Sequence, residues 1–247
     1  MVANEAAQAM PLEPVSTIVK ENSWHRRLER RPIQFMVIAL LVILIGSFVE
    51  LMPTLTISSN IPTIASVKPY TPLELQGRDL FIREGCMGCH SQTVRPFRSE
   101  TERYGQYSKA GEFVYDHPFL WGSERKGPDL ARVGGKYPNA WHYNHLMDPR
   151  LMSPGSIMPD YDWLITQNLD TTTTIAKINA MRKIGVPYPA GYEYKANHDL
   201  DVQAKGIAAD LAQSHIKVSS RKEIIAITAY LQRLGQDIKA DKTTSNN

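Results

Sequence analysis

Cys86-Met87-Gly88-Cys89-His90 is a C-x-x-C-H run, and Cys86 and Cys89 are the only cysteines among 247 residues. Two thiols at this spacing can each add to a vinyl group of a haem, and the adjacent imidazole then ligates the iron. Competing chemistries need partners that the chain does not offer at the right spacing. A structural zinc site takes four Cys or His ligands, and no second ligand pair at finger spacing follows. A thioredoxin-type pair follows a strand in a βαβ pattern, and none is evident. The motif therefore reads as covalent attachment of one haem c, with His90 as its first axial ligand. Both cysteines are consumed, so none is left for a structural disulfide.

A six-coordinate electron-transfer haem needs a second axial ligand from elsewhere in the chain. The methionines after Cys86 are Met87, Met147, Met152, Met158 and Met181. Met87 lies inside the attachment loop and cannot swing to the opposite haem face. Met158 lies in Ser156-Ile157-Met158-Pro159, a loop stiffened by proline, and is the preferred ligand. Thioether ligation favours reduced iron and raises the potential relative to bis-His ligation. Any of these methionines can instead be ordinary core filler. His142 and His145 are the competing ligands, and an open iron position would mean gas binding.

These residues have to be held in place, and a second feature says where. Residues 33–52 read IQFMVIALLVILIGSFVELM, interrupted only by Gln34, Ser47 and Glu50. About 20 predominantly apolar residues at helical rise cross a bilayer. A cleaved signal would have a shorter apolar region near the very start, although Ile64-Ala65-Ser66 offers a small-residue cleavage site. An uncleaved anchor fits the length better. Arg26, Arg27, Arg30 and Arg31 precede the run and Lys68 is the first basic residue after it. That bias keeps residues 1–32 in the cytoplasm and sends the remainder across. The span has no central ionisable residue and offers no proton relay. A formal charge of +3 is too small to imply a nucleic-acid partner.

Residues 53–72 contain Pro53, Pro62, Pro69 and Pro72 and read as a semi-extended tether that cannot continue the membrane helix. Thr71-Pro72-Leu73-Glu74 is a helix start: an N-cap, proline in the first turn, and an acidic third residue. Near the other end, Ser220-x-x-Glu223 has the form of a capping box. Ile224, Ile227, Leu231 and Leu234 then mark one helical stripe, and Gly235 a stop. Residues 73–240 make the outer domain, with helices expected near Thr171 and over 199–214, and 241–247 a disordered tail.

Two amphipathic helices bracketing a haem motif resemble the class I cytochrome c fold, so the fold class is mainly α. The resemblance implies that the first and last helices cross, with Gly77, Phe81 and Tyr230 at the contact. Gly127-Pro128-Asp129-Leu130 resembles that family's G-P-x-L turn. It implies that the Pro128 carbonyl accepts the His90 N–H and orients the ring. Met158 follows this turn in the family order. Haem attachment of this type takes place on the outer side of bacterial membranes, which agrees with the charge bias.

Two segments exceed a minimal cytochrome c, 91–126 and 160–219. The first interleaves aromatic residues with Arg and Glu, a composition favoured at interfaces, although it can also be a self-packed insertion. The blocks GRDLFIREGCMGCHSQ, RPFRSETERYG, YDHPFLWGS, GPDLARVGGKY and MPDY are similar to the mono-haem, membrane-anchored subunit of cbb3-type cytochrome c oxidases. That resemblance implies an electron-transfer subunit with no catalytic centre of its own. A di-haem cytochrome c subunit would feed it, and a haem–copper catalytic subunit would reduce oxygen to water. It implies a bacterial inner membrane location with a periplasmic haem domain. It also implies docking through segments beside the haem, for which Arg95, Arg98, Glu102, Arg103, Tyr104 and Trp121 are candidates. A calcium ion at the subunit junction is implied as well, with Ser123 as a ligand. The alternatives are the small cytochrome subunit of nitric oxide reductase and a tethered haem sensor with an open iron site.

Overall fold

The computed structural model describes residues 24–57, 59 and 61–239. The segment before Trp24 and the polar tail expected over 241–247 lie outside the described residues. The chain forms two compact units, one ending at Ile61 and the other starting at Pro62.

The first unit is helical. A short α1 (Trp24–Glu29) precedes α2 (Pro32–Thr56), which has proline in its first turn. The apolar span of α2 covers the 23 residues Pro32–Thr54, with none of its most apolar window buried. At about 1.5 Å per residue it is long enough to cross the hydrocarbon core. A soluble core helix of this composition would bury its apolar surface. This one exposes it on every side, which fits a membrane anchor. The helix does not stop at Pro53 as the sequence suggests. Proline here removes one N–H near the end, and the last turn still closes: Ile57 N donates to Pro53 O at 2.9 Å and Thr56 Oγ1 to Met52 O at 2.7 Å. The tether is accordingly shorter than 53–72.

The second unit is all helix and loop. Its helices are α3 (Pro72–Arg83), α4 (Arg98–Tyr104), α5 (Asn139–Met147), α6 (Pro149–Met152), α7 (Trp163–Thr166), α8 (Thr174–Lys183), α9 (Ala196–Gln213) and α10 (Glu223–Arg233). Single 3₁₀ turns occupy Cys86–Gly88, Ala110–Phe113 and Tyr192–Tyr194. Among the described residues the only bridge of β type is the pair Asn168–Lys222.

α3 starts as its sequence dictates. Thr71 and Glu74 form the reciprocal capping box, Thr71 N donating to Glu74 Oε2 at 2.8 Å and Glu74 N to Thr71 Oγ1 at 3.3 Å. α3 crosses α10 at Gly77, where a Cβ would stand 1.9 Å from the Ala226 carbonyl oxygen and 2.8 Å from Tyr230 Cβ. Phe81 and Tyr230 meet beside that point with ring centroids 5.5 Å apart. α10 is enclosed on nearly all sides: Ile224, Ile225, Ala226, Ile227 and Tyr230 are all buried. The apolar stripe read from the sequence is therefore only part of its buried surface. Its start also differs from the expected Ser220 capping box. The N-cap is Lys222 without a side-chain cap, and Glu223 instead holds Arg83 of α3 at 2.7 and 2.5 Å. A long-range bidentate ion pair has taken the carboxylate that the local motif would use.

The stretch after Leu164 acquires a structural role. α9 packs Leu200, Ala204 and Leu211 into the main core. α8 and the loop after it build a second cluster from Leu75, Ile178, Met181, Val186, Tyr188 and Ala196. Polar bonds tie this layer to α3 and the chain just before it: Gln76 Nε2 donates to Thr174 Oγ1 at 2.9 Å, and Tyr188 Oη to Tyr70 O at 2.5 Å. Buried Arg78 secures the loop on another side of α3. Its Nε lies 3.4 Å from Asp116 Oδ1, and its Nη atoms donate to the carbonyls of His117 and Pro118.

Candidate haem centre

α3 ends at Glu84, and Gly85 (φ +70°) turns the chain into the 3₁₀ turn Cys86–Gly88. Cys89 N and His90 N both donate to Cys86 O, at 3.1 and 3.0 Å, so one tight loop carries both thiols and the imidazole. The thiols are not bonded to each other; Cys86 is buried and Cys89 half-buried. Burial, then the nearby Glu84 carboxylate, pushes the Cys86 thiol up to about 12. Redox-active C-x-x-C pairs need the opposite, a thiol that ionises easily. Among the described residues no group of three or more His, Cys, Asp or Glu is placed to hold a metal ion, so the zinc reading finds no ligand set there.

The proximal strap is built as the G-P-x-L resemblance implies. His90 Nδ1 lies 2.8 Å from the Pro128 carbonyl, which fixes the N–H on Nδ1 and leaves the Nε2 lone pair free for a metal. Gly127 lies flat against the ring: a Cβ there would come within 2.1 Å of His90 Cε1. Gly127 N also donates to Cys89 O at 3.0 Å, and Leu130 N to Ser91 O at 2.8 Å. Asp129 locks the strap from behind. Its carboxylate accepts from Ser91 Oγ at 2.7 Å, Thr93 N at 2.8 Å and Ala131 N at 2.8 Å. Burial lowers the His90 pKa, and the Pro128 bond and Asp129 offset only part of it. The neutral imidazole that results is the ligating form.

The 91–126 segment is wired to this strap by Arg125, which sequence reasoning missed. Arg125 donates to Ser91 Oγ at 2.7 Å, to Thr93 O at 2.8 Å and to Glu100 Oε2 at 2.8 Å. Glu100 also binds Arg95, whose Nε lies 2.5 Å from Oε1 and whose amide donates at 2.8 Å. Desolvation would raise the Glu100 carboxyl, but Arg125 and Arg95 outweigh it and hold it below the ordinary range. Arg95 is thus committed to the fold. Arg98 and Glu102 pair with each other at 2.7 Å on an exposed face. Arg103 lies 5.1 Å from the Tyr104 ring centroid, and Arg125 5.5 Å from the same centroid. Trp121 stacks on Phe119 at 4.5 Å, while its carbonyl accepts from Gln92 N at 2.7 Å. Ser123 is exposed in the adjoining loop. The acidic residue inside G-P-D-L was the one sequence signal that could have pointed to this network.

Further along the chain, α5 carries His142 and His145, and the chain turns back through α6 to Met158. Tyr161 N donates to Leu146 O at 2.9 Å, tying the Met158 loop to α5. Met158 is half-buried against the main core cluster, which also contains Cys86 and Leu146. Met181 lies in the second cluster instead, as core filler. The loop is further held by Trp163 Nε1, which donates to Glu84 Oε2 at 3.1 Å beside the attachment turn. His142 Nε2 and His145 Nδ1 are buried without a hydrogen-bond partner. Buried nitrogens of this kind call for a hydrogen-bond partner.

The residues fit a haem c: two adjacent free thiols, an imidazole with one nitrogen satisfied and the other available, and a glycine flush with its ring. A search of curated proteins returns no match for this chain. A family model described as cytochrome c oxidase, mono-heme subunit/FixO, matches residues 25–238. With its anchor-like helix, its all-helical outer unit and its C-x-x-C-H loop, the chain belongs to the mono-haem cytochrome c oxidase subunit (FixO) family.

Proposed function

We propose that this chain is the electron-carrying subunit of a cbb3-type oxidase, taking electrons from a di-haem cytochrome subunit and delivering them to the haem–copper subunit that reduces oxygen. The observation that carries this reading is the strap behind His90, joined through Arg125 to the surface segment 91–126. Bound through Cys86 and Cys89, a haem would supply one-electron redox chemistry. The residues of the chain do the rest. His90, oriented by Pro128, would hold the iron, and Met158 would supply its second protein ligand. The α3–α10 crossing and the Asp129 network keep these groups from shifting as the charge changes.

The docking surface is the α4 face with the Phe119–Trp121 pair. Arg98, Arg103 and the aromatic pair are exposed beside the attachment loop, and aromatic and Arg side chains dominate interface energetics. Arg95 serves this surface indirectly, by holding Glu100. Ser123, at its edge, is the proposed contact for an interface calcium ion. The four arginines before α2 support a cytoplasmic N-terminus and a periplasmic haem unit in a bacterial inner membrane.

Purification of the full chain in mild detergent tests the reading. A di-haem cytochrome and a haem–copper subunit should accompany it, and the complex should reduce oxygen. The double variant Arg98→Ala with Arg103→Ala should keep the haem spectrum and lower association and oxygen turnover. Co-purification with a nitric oxide-reducing subunit instead would replace the proposed complex.

A further inference from the structure

A groove of about 310 Å³ separates α4 from the chain leading into the proximal strap. Its walls include Glu100, Arg103 and Tyr104 on one side and Arg125, Lys126 and Pro128 on the other. Three cations thus share the groove with one carboxylate, and that carboxylate is fully engaged. Glu100 Oε1 meets Arg95 Nε at 2.5 Å and Arg125 Nη1 at 2.7 Å. Its Oε2 accepts from the Arg95 amide and from Arg125 Nη2, each at 2.8 Å. Arg125 is engaged as well, since it also serves Ser91 and Thr93. Arg103 and Lys126 are exposed, and neither has an ion-pair partner among the described residues. Of the nearby acids, Glu102 belongs to Arg98, and Glu124 does not line the groove. Two positive charges therefore stand there uncompensated. Arg103 is also preorganised: its guanidinium carbon lies 5.1 Å from the Tyr104 ring centroid. A guanidinium resting on an aromatic face keeps its N–H edge free for a planar acceptor with two oxygens.

We propose that this groove receives an aspartate or glutamate side chain of the haem–copper subunit, held in two-point contact by Arg103 and paired with Lys126. This rests on the reading of α4 as a docking face of an oxidase complex, and it names what that face recognises. A carboxylate matches the guanidinium fork, and the lysine adds a point charge that needs no fixed direction. Arg103 and Arg98 lie on the same short helix, so the groove continues the docking face. Apart from Tyr104 and Pro128 its walls are polar or charged. They offer no bed for acyl chains, which favours a protein side chain over a lipid headgroup. The seat is joined to the haem-binding loop. Gly127 and Pro128 line it, and both touch His90, Pro128 O accepting from Nδ1 at 2.8 Å. A partner anchored here would therefore rest against the backbone that orients the imidazole.

The test uses the full chain in the complex purified in mild detergent. A water-soluble carbodiimide joins an amine to a carboxylate only where the two touch, the carboxylate oxygen leaving on the carbodiimide as a urea. Digestion and mass spectrometry should find Lys126 Nζ in an amide with an Asp or Glu of the haem–copper subunit. No adduct at Lys126, or one to a carboxylate of this chain or of any other subunit, would overturn the inference. A second arm compares Lys126→Glu with Lys205→Glu, the same charge change on an exposed part of α9. Lys126→Glu should weaken association about tenfold or more at low salt, and the difference should shrink as salt rises. Lys205→Glu should stay within about twofold of the unaltered chain, as a charge outside the contact does. Equal losses in the two variants would reduce the effect to net charge and overturn the inference. Protection of Lys126 from acetylation by phosphatidylglycerol vesicles, in the chain freed of its partners, would assign the groove to a lipid headgroup and overturn it too. Failure of the wider reading looks different: no haem–copper subunit then accompanies the unaltered chain, and both fall together.

Discussion

Gly77 and Ala226 meet backbone to backbone, so closely that a Cβ on Gly77 would stand 1.9 Å from the Ala226 carbonyl oxygen. The first and last helices of the outer unit cross at this point, and the burial of Phe81 and Tyr230 depends on it. Gly77→Ala should separate the helices and cost about 3 kcal/mol or more, at the upper end for overpacking. Urea unfolding followed by circular dichroism would read this as a lower midpoint. A midpoint equal to that of the unaltered protein would mean the crossing tolerates a methyl group.

Covalent haem should depend on both thiols. Cys86→Ala and Cys89→Ala should each remove one thioether, and the double variant should carry no covalent haem. Mass spectrometry of the denatured chain and peroxidase staining of gels check this directly. Haem retained by the denatured double variant would require an attachment site elsewhere.

Met158→His should keep a six-coordinate low-spin haem and lower its potential, because a second imidazole favours ferric iron. The methionine-to-iron charge-transfer band should vanish. Should it persist, another methionine is the ligand, and Met152 on α6 is the next to test.

Acid should loosen the 91–126 segment before it unfolds the domain. Glu100 is held below its ordinary pKa by Arg125 and Arg95, against a desolvation that opposes them. A carboxylate depressed in the folded state contributes stability that is present above its unfolded pKa and lost as pH falls through the folded value. Protection of amides in this segment, exchange corrected for its intrinsic pH dependence, should therefore be constant at neutral pH and fall only below the usual carboxylate range. In Glu100→Gln the exchange should already be faster at pH 7 and depend less on acid. An identical acid profile in this variant would assign the loosening to another group.

Holding the 91–126 segment and presenting its surface are separable roles because Arg95 and Arg98 differ in what they touch. Arg95→Ala should expose the Glu100 charge and speed exchange of the segment. Arg98→Ala, which breaks only an exposed pair worth about 0.3–0.5 kcal/mol, should leave exchange unaltered. Equal effects of the two substitutions would refute this division.

The parts of this protein that the sequence determined by itself are those whose causes lie within a few residues. Cys86, Cys89 and His90 bring their chemistry together in one tight loop. Thr71 and Glu74 cap α3 reciprocally across a single turn. The apolar run of α2 needs only its own length and composition to be recognised. Gly77, Phe81, Tyr230 and the Pro128 turn were legible through resemblance, and the distances agree. Tertiary structure decided wherever a local motif had a distant competitor. Ser220 does not cap α10 with Glu223, because Arg83 lies across the crossing and binds that carboxylate with two charge-assisted bonds. Arg95 pairs with Glu100, and Arg125 reaches over 30 residues back to Ser91 and Thr93. Met181 leaves the set of ligand candidates only because α8 folds it into a second core. Pairings of this kind depend on which helices pack together, a choice set by buried apolar surface summed over the chain and not by any short stretch of it.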